Sequence, residues 1–147
     1  MDLGLKNKNA VITGASQGIG EAIAHSLADE GCNVAICARN KERLDKTVSD
    51  LQAKGVKAIG VIADLSSEAG CQLFIEEAAK KLGSIQILVN NVGGMIPGTL
   101  ATMDESTWST AINVNLMAAI YTTKHAVEYL KNNEWARILN VTGFSGT

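Results

Sequence analysis

The chain has 147 residues, of which 46% are hydrophobic and 19% are charged, enough for one domain with a buried core and too few for two. This apolar content excludes intrinsic disorder. The 13 Lys and Arg against 15 Asp and Glu give a net charge of −2 without any basic run, so we expect no nucleic-acid partner.

Apolar strand-like runs alternate with helical apolar periodicities along the chain. We predict five strands, at residues 9–13, 33–38, 56–63, 85–89 and 137–142. The first three helical stripes each stop at a glycine, namely Gly31, Gly55 and Gly83, which is typical of helix C-termini.

A longer helix precedes the fifth strand. Asp104 or Ser106 could cap its start, and its apolar stripe from Trp108 to Leu130 is expected in the core.

Strands that alternate with helices of this length need parallel crossovers, which cover both faces of a sheet. The pattern predicts an α/β fold with a doubly wound parallel sheet, as a single domain over residues 1–147. A fifth strand at the end of the chain would leave a sheet edge open, so we expect a fold that is incomplete here.

No apolar stretch is as long as a membrane span, and residues 1–8 have no apolar segment of signal-peptide type. Cys32, Cys37 and Cys71 lack the paired spacing of a zinc site. Cys32 and Cys37 flank an apolar run, as buried reduced thiols do. We therefore expect a cytoplasmic protein with no metal and no membrane partner.

A glycine-rich turn, Thr-Gly-Ala-Ser-Gln-Gly-Ile-Gly at residues 13–20, lies between the first strand and the first helix. A turn in that position brings a phosphate to free N–H groups at the positive end of a helix. A purely structural glycine turn is the alternative. Glu21 follows Gly20 where a Walker A loop has lysine, which excludes a P-loop NTPase.

Four motifs in register resemble the short-chain dehydrogenase/reductase family. Besides the turn, they are Asp64-Leu65 after the third strand, Asn90-Asn91-Val92-Gly93 at the fourth and Asn113-Val114-Asn115-Leu116 in the long helix. Val92 stands where the family has alanine. The resemblance, which runs from about residue 8 to the end of the chain, implies a Rossmann-type, NAD(P)-binding domain.

By this resemblance, the pyrophosphate and adenosine ribose of a dinucleotide would be bound by Gly14, Ser16, Gln17, Gly18, Ile19 and Gly20. Asp64 and Leu65 would hold the adenine edge, and Asn91 with Gly93 would lie beside the nicotinamide ribose. Ligands in open α/β sheets bind at the carboxyl ends of the strands, which agrees with this placement.

The end of the second strand indicates which dinucleotide is bound. An acidic residue there would bind the ribose hydroxyls of NAD, but this strand is followed by Arg39 and Asn40. A guanidinium suits a 2′-phosphate, so we predict NADP rather than NAD as cofactor. A solvated surface charge is the alternative for Arg39, and Gln17 supplies no second positive charge.

The catalytic residues match the family less well. The family's site resembles a tetrad of Asn, Ser, Tyr and Lys, and Asn115 fits the first role, in which it holds a water in the proton relay. The serine position falls on Gly143, which has no hydroxyl; we take Ser145 as a substitute, with an ordinary loop serine as the alternative. Tyr121 and Lys124 are spaced one residue short of Tyr-x-x-x-Lys and precede the serine strand, so they are not carried over; that motif would lie beyond Thr147.

The resemblance implies an NADP(H)-dependent oxidoreductase that transfers hydride between the nicotinamide and a small carbonyl or secondary alcohol substrate. Met95 and Ile96 hint at an apolar substrate. Without the Tyr and Lys, this chain alone is expected to be inactive. The alternative is a non-catalytic dinucleotide-binding module, a sensor or interaction subunit. The family commonly forms dimers and tetramers, which predicts a homo-oligomer with the long helix in an interface.

Overall fold

The computed structural model describes residues 2–143. Its centre is one five-stranded sheet with the strand order β3-β2-β1-β4-β5, in which every pairing is parallel. The strands are β1 Asn9–Ile12, β2 Asn33–Ala38, β3 Ala58–Ile62, β4 Ile87–Asn90 and β5 Arg137–Asn140. The order reverses between β1 and β4, so the predicted doubly wound parallel sheet is confirmed.

The helices follow the strands in alternation. They are α1 Gly18–Asp29, α2 Lys41–Gln52, α3 Glu68–Leu82, α4 Glu105–Ile112 and α5 Ala118–Lys131. A π-helical segment, Asn113–Met117, joins α4 to α5, so the predicted long helix contains a wider turn. Among residues 2–143, no helix combines the length and the apolar character that a bilayer crossing would need.

Local signals set the helix ends. Gly83 ends α3 in the left-handed conformation, with φ +89, which glycine adopts without a Cβ penalty. Asp104 is the N-cap of α4, and its side chain accepts a hydrogen bond from the Thr107 N–H at 2.8 Å. Of the two caps considered, Asp104 is therefore the one used.

Two apolar layers sandwich the sheet. Side chains alternate between its faces along each strand, so Val11 packs with Phe74 of α3 and with α5 on one face. Ile12 packs with Leu44 of α2 and with α1 on the other. Both clusters contain strand residues with 0% exposure. Because a one-residue slip would turn these side chains to the opposite face, their burial fixes the register of the strands and therefore where the strands end.

The prediction that the whole stripe from Trp108 to Leu130 lies in the core is wrong for its first half. Leu130 is buried, but Trp108, Ile112 and Leu116 are 39%, 48% and 54% exposed, and no residue of α4 is buried. Helical spacing indicates which residues share a face but not whether another element covers that face. Here α3 covers α5, while α4 leaves its apolar face in solvent.

The edge strand β5 is similarly uncovered. Within the described residues it pairs with β4 alone. Ile138 and Leu139, whose side chains alternate between the two faces, are 44% and 48% exposed. Within residues 2–143, β5 is therefore an edge strand.

Candidate cofactor site at the carboxyl ends of the strands

A cleft of about 410 Å³ lies where β1, β2, β3 and β4 end. The switch point of an open α/β sheet places ligands at this position. Of the residues predicted for the site, those that line the cleft are Gly14, Ser16, Gln17, Arg39, Asp64, Leu65, Asn91 and Gly93. Residues 18–20 form the first turn of α1, directly after the lining residues, and are not themselves part of the lining.

The glycine turn is shaped by two close approaches. Gly14 has φ +64, and a Cβ built on it would lie 3.2 Å from the Val92 Cα. A Cβ on Gly20 would lie 2.6 Å from the Gly14 carbonyl oxygen and would collide with the Asn91 side chain. Gly18 differs, since it has φ +62 and open space where a side chain would be. The first and last glycines therefore serve the packing of the turn, whereas Gly18 leaves space at the start of α1.

Thr13 and Asn91 tie the end of β1 to the end of β4. The Thr13 hydroxyl oxygen accepts hydrogen bonds from the N–H groups of Asn91 at 2.8 Å and Val92 at 2.9 Å. The Asn91 Nδ2 donates to the carbonyls of Thr13 at 3.0 Å and Gly14 at 3.1 Å. Thr13 is fully buried, so this hydrogen-bond network holds the floor of the cleft in a fixed shape.

Asn90 makes a second set of contacts that the sequence did not predict. Its Nδ2 donates to the Thr123 hydroxyl at 3.0 Å and to the Asn140 Oδ1 at 2.9 Å, and its Oδ1 accepts from Thr122 at 3.0 Å. The first asparagine of the Asn-Asn-Val-Gly motif therefore joins β4 to α5 and β5. The motif itself was the available signal, but the partners are 32 to 50 residues away in sequence.

Arg39 and Asp64 bring opposite charges to the same cleft. Hydrogen bonds from Ser66, led by its N–H at 3.0 Å from Oδ1, lower the pKa of the Asp64 carboxyl, and the positive charge of Arg39 lowers it further. Among residues 2–143, Arg39 takes part in no ion pair. The guanidinium is therefore exposed at the cleft with its donors available to an anion.

Asn115 lies in the π-helical segment and does not line the cleft. Its Oδ1 accepts from the Gly94 N–H at 3.0 Å, and its Nδ2 donates to the carbonyls of Gly94 at 2.9 Å and Ala111 at 3.0 Å. Gly94 is a lining residue. Asn115 therefore acts on the cleft through the loop after β4, and π-helical turns of this kind are frequent at functional sites.

Other lining residues were not predicted as site residues. Beyond Met95 and Ile96, which the sequence suggested as an apolar wall, the lining includes Cys37, Ala38, Ala63, Ser66, Val92, Gly94, Thr110 and Val114. Most neighbour a predicted residue in the chain. Val114 belongs to the Asn-Val-Asn-Leu motif of the long helix. Thr110 comes from α4, and no local sequence signal places it at the cleft.

The model of the short chain dehydrogenase family matches residues 8–147. This chain belongs to the short-chain dehydrogenase family. It is 36% identical over 146 residues to the uncharacterized oxidoreductase YvrD of Bacillus subtilis, covering 99% of this chain and 55% of that protein. It is 33% identical over 141 residues to the 3-oxoacyl-acyl-carrier-protein reductase FabG of Staphylococcus epidermidis, covering 95% and 58%.

Solved structures of other oxidoreductases are also similar to this chain. L-sorbose reductase from Gluconobacter frateurii, complexed with NADPH and L-sorbose, superposes with a TM-score of 0.92 at 32% identity, covering 95% of this chain and 54% of that one. A short chain dehydrogenase from Burkholderia cenocepacia in complex with NADP gives 0.88 at 34% identity, covering 92% and 55%. The chain thus spans about half the length of these relatives.

The remaining residues that the sequence analysis weighed for catalysis are Tyr121, Lys124 and Ser145. Tyr121 packs against the core cluster beside α3, and Lys124 pairs with Glu68 at 2.7 Å, so both are occupied away from the cleft lining. Ser145 lies outside the described residues.

Proposed function

We propose that this chain is the cofactor-binding part of an NADP(H)-dependent oxidoreductase that acts on a small carbonyl or secondary alcohol substrate. One observation carries the proposal: the carboxyl ends of the strands form a cleft that contains both the glycine turn and an exposed arginine after β2. When bound, the nicotinamide would supply or accept the hydride. The residues of this chain would bind and orient it.

The cleft fits a dinucleotide in three places. The turn residues Gly14, Ser16 and Gln17 lead into the free N–H groups of α1 at Gly18, where backbone and helix dipole favour a pyrophosphate. Ile19 and Gly20 complete that first turn. Gly18 has no Cβ and no protein atom within 4 Å of where one would be, which allows the protein backbone to approach a ligand closely.

The two ends of the cofactor would lie on either side of that turn. We assign Asp64 and Leu65 to the adenine edge, and Asn91 with Gly93 to the nicotinamide ribose. All four line the same cleft. The Thr13–Asn91 hydrogen bonds support this assignment, because they hold the floor rigid and so reduce the ordering cost of binding.

Arg39 is proposed to select NADP over NAD. Its guanidinium can make charge-assisted bonds to the 2′-phosphate, which NAD lacks. The Burkholderia and Gluconobacter structures hold NADP and NADPH, which supports the same choice. A charge-assisted contact contributes about 1.5–3 kcal/mol, or roughly ten- to a hundred-fold in affinity.

For the reaction itself we assign Asn115 and Ser145. Both polar atoms of the Asn115 amide are engaged with Gly94 and Ala111, so we propose it as a positioning residue that holds the loop over the nicotinamide end. Ser145 is proposed as the hydroxyl that positions the substrate carbonyl. Met95, 89% exposed in that loop, would supply part of an apolar substrate wall.

We further propose that the complete protein is a cytoplasmic homo-oligomer, a dimer or a tetramer. The exposed apolar face of the helix, with Trp108, Ile112, Leu116 and Ile120 at intervals of one turn, supports an interface. The three cysteines are free and buried, which suits a reducing compartment. Light-scattering mass measurement tests the oligomer.

The test of cofactor choice is titration of NADPH and NADH against the wild-type chain, Arg39→Ala and Arg137→Ala. Arg137 is an exposed arginine at the opposite end of the sheet and serves as the control. We expect NADPH to bind about ten- to a hundred-fold more tightly than NADH, and Arg39→Ala alone to remove most of that preference. Equal affinities in the wild type would overturn the NADP assignment. A complete protein that binds NADPH yet reduces no carbonyl would favour the non-catalytic module.

A further inference from the structure

A second arginine, on α2, contacts a residue that lines the cofactor cleft. The Arg43 Nη1 donates a hydrogen bond to the Gln17 Oε1 across 26 residues of sequence. Gln17 precedes α1 as its N-cap and lines the cleft. This contact brings a guanidinium to the turn that, by its own residues, carries no positive charge.

The first turn of α2 holds Arg43 in this orientation. The Asn40 side chain caps the helix by accepting the Arg43 N–H at 2.9 Å, and the next residue, Leu44, is anchored in the core with 1% exposure. The Arg43 side chain itself is exposed. The backbone is therefore fixed on both sides of the residue, and the guanidinium is directed across to α1.

The positive charge of Arg43 is not neutralised by a neighbouring carboxylate. Two other cations of α2 are paired along the helix, Lys41 with Asp45 and Lys46 with Asp50. Within the part of the chain that the structure describes, Arg43 has no such ion pair. Its contact with Gln17 is to a neutral amide and leaves the charge available.

We infer that Arg43 is a second cation for the 2′-phosphate of the cofactor, with Gln17 as the residue that positions it. This inference rests on the proposed NADP-binding function. A guanidinium has five N–H donors, so a hydrogen bond to Gln17 leaves others for phosphate oxygens. A 2′-phosphate approaches a double negative charge at neutral pH, which two guanidinium groups match better than one.

The acids around the cleft strengthen the case for two arginines. Asp64 lines the same cleft as Arg39, and the exposed Glu42 is adjacent to Arg43 in the chain. Each would repel a phosphate and offset part of the attraction of one cation. Arg39 alone would leave an excess of negative charge at the end of β2, whereas Arg39 and Arg43 together balance these two acids.

The experiment measures NADPH and NADH dissociation constants for the wild-type chain, Arg39→Ala, Arg43→Ala, Arg43→Lys, Gln17→Ala and Lys46→Ala. Lys46→Ala removes an exposed cation from the same helix and is the matched control. For Arg43→Ala we expect NADPH to bind about tenfold more weakly, with NADH unchanged. Arg43→Lys keeps the positive charge but loses the planar set of guanidinium donors, so it should retain part of the NADPH affinity that Arg43→Ala loses. Gln17→Ala should weaken NADPH more than NADH, because it releases Arg43.

The outcomes separate this inference from the proposed function. If the wild type prefers NADPH and Arg39→Ala removes the preference while Arg43→Ala keeps it, the second cation is wrong and the NADP assignment stands. If Arg43→Ala weakens both cofactors equally, the residue is structural and the inference is overturned. If the wild type does not prefer NADPH, the proposed function and this inference both fail.

Discussion

Asn115 and Gly94 form a reciprocal pair in which a side-chain amide binds a backbone peptide. The Gly94 N–H donates to Oδ1 at 3.0 Å, and Nδ2 donates to the Gly94 carbonyl at 2.9 Å, across 21 residues of sequence. Gly94 lines the cleft while Asn115 lies in the π-helical segment. The pair therefore fixes the loop after β4 against the helix that follows it.

Removing this pair should loosen the loop and weaken cofactor binding. In Asn115→Ala we expect faster hydrogen–deuterium exchange of the Gly94 amide. NADPH and NADH affinity should fall by the same factor, because the 2′-phosphate site at Arg39 is not involved. Two neutral hydrogen bonds contribute about 0.5–1.5 kcal/mol each, so the loss is about fivefold or more.

Asn115→Asp is the matched variant for this prediction. It keeps the oxygen that accepts the Gly94 N–H and loses the donor to the Gly94 carbonyl. We expect the amide to remain protected and the affinity to lie between wild type and Asn115→Ala. Unchanged Gly94 exchange in Asn115→Ala would mean that the hydrogen-bonded pair does not order the loop.

Gly20→Ala should destabilise the fold at the turn. The added Cβ would lie 2.6 Å from the Gly14 carbonyl oxygen and would displace the Asn91 side chain from its hydrogen bonds. Overpacking of this kind costs about 1–3 kcal/mol. Gly94→Ala is the control, since a Cβ there meets nothing within 4 Å. Urea unfolding should show a lower midpoint for Gly20→Ala only; equal midpoints would mean that the turn relaxes without cost.

The buried thiols should make the protein less stable at alkaline pH. Burial is the main cause that raises the pKa of Cys37 from 9.0 to about 12 and that of Cys71 to about 11. Above pH 9 the unfolded thiols lose their protons while the folded ones keep them, so stability is full below pH 9 and falls as pH rises toward the folded pKa. The slope is at most about 1.4 kcal/mol per pH unit for each thiol.

Urea midpoints between pH 8 and pH 10.5 measure this effect. Cys37→Ala should start from a lower midpoint at pH 8, because it leaves a small cavity, and should lose less stability above pH 9 than the wild type. Thiol reagents at pH 8 should label the folded chain slowly, since all three cysteines are almost fully buried. Fast labelling, or an identical pH slope in Cys37→Ala, would contradict the assigned environment.

The features that the sequence predicted correctly depend on nearby residues. Gly83 ends α3 and Asp104 caps α4 through contacts within one helical turn, so the spacing in the chain identifies Gly83 and narrows the cap to Asp104 or Ser106. The glycine turn and the Asn-Asn-Val-Gly motif meet because parallel strands end at one edge of the sheet, a consequence of topology that alternating strands and helices already imply.

The features that the sequence did not predict depend on distant partners. The Arg43–Gln17 and Asn115–Gly94 contacts join residues 26 and 21 positions apart through side chains, and no periodicity indicates them. The spacing of Trp108 fits a helix stripe and predicts a core position, but its exposure depends on what covers α4. Burial of such a face is decided by neighbouring elements, which a single sequence does not show.

Gly18→Val should abolish dinucleotide binding while the fold persists. Gly18 has φ +62 and no protein atom within 4 Å of a built Cβ, so the new side chain would occupy the space in front of the first N–H groups of α1. A pyrophosphate could not approach those groups past a β-branched side chain. We expect no saturable binding of NADPH or NADH at concentrations that saturate the wild type.

The backbone conformation needs its own control, because valine with positive φ costs about 1–2 kcal/mol. Gly55→Val provides it: Gly55 lies after α2 with φ +84 and likewise has nothing within 4 Å. Both variants should therefore lose similar stability in urea unfolding, yet only Gly18→Val should lose cofactor binding. If both retain binding, the phosphate loop lies elsewhere in the chain; if both lose it, backbone strain rather than occupation of the cleft explains the result.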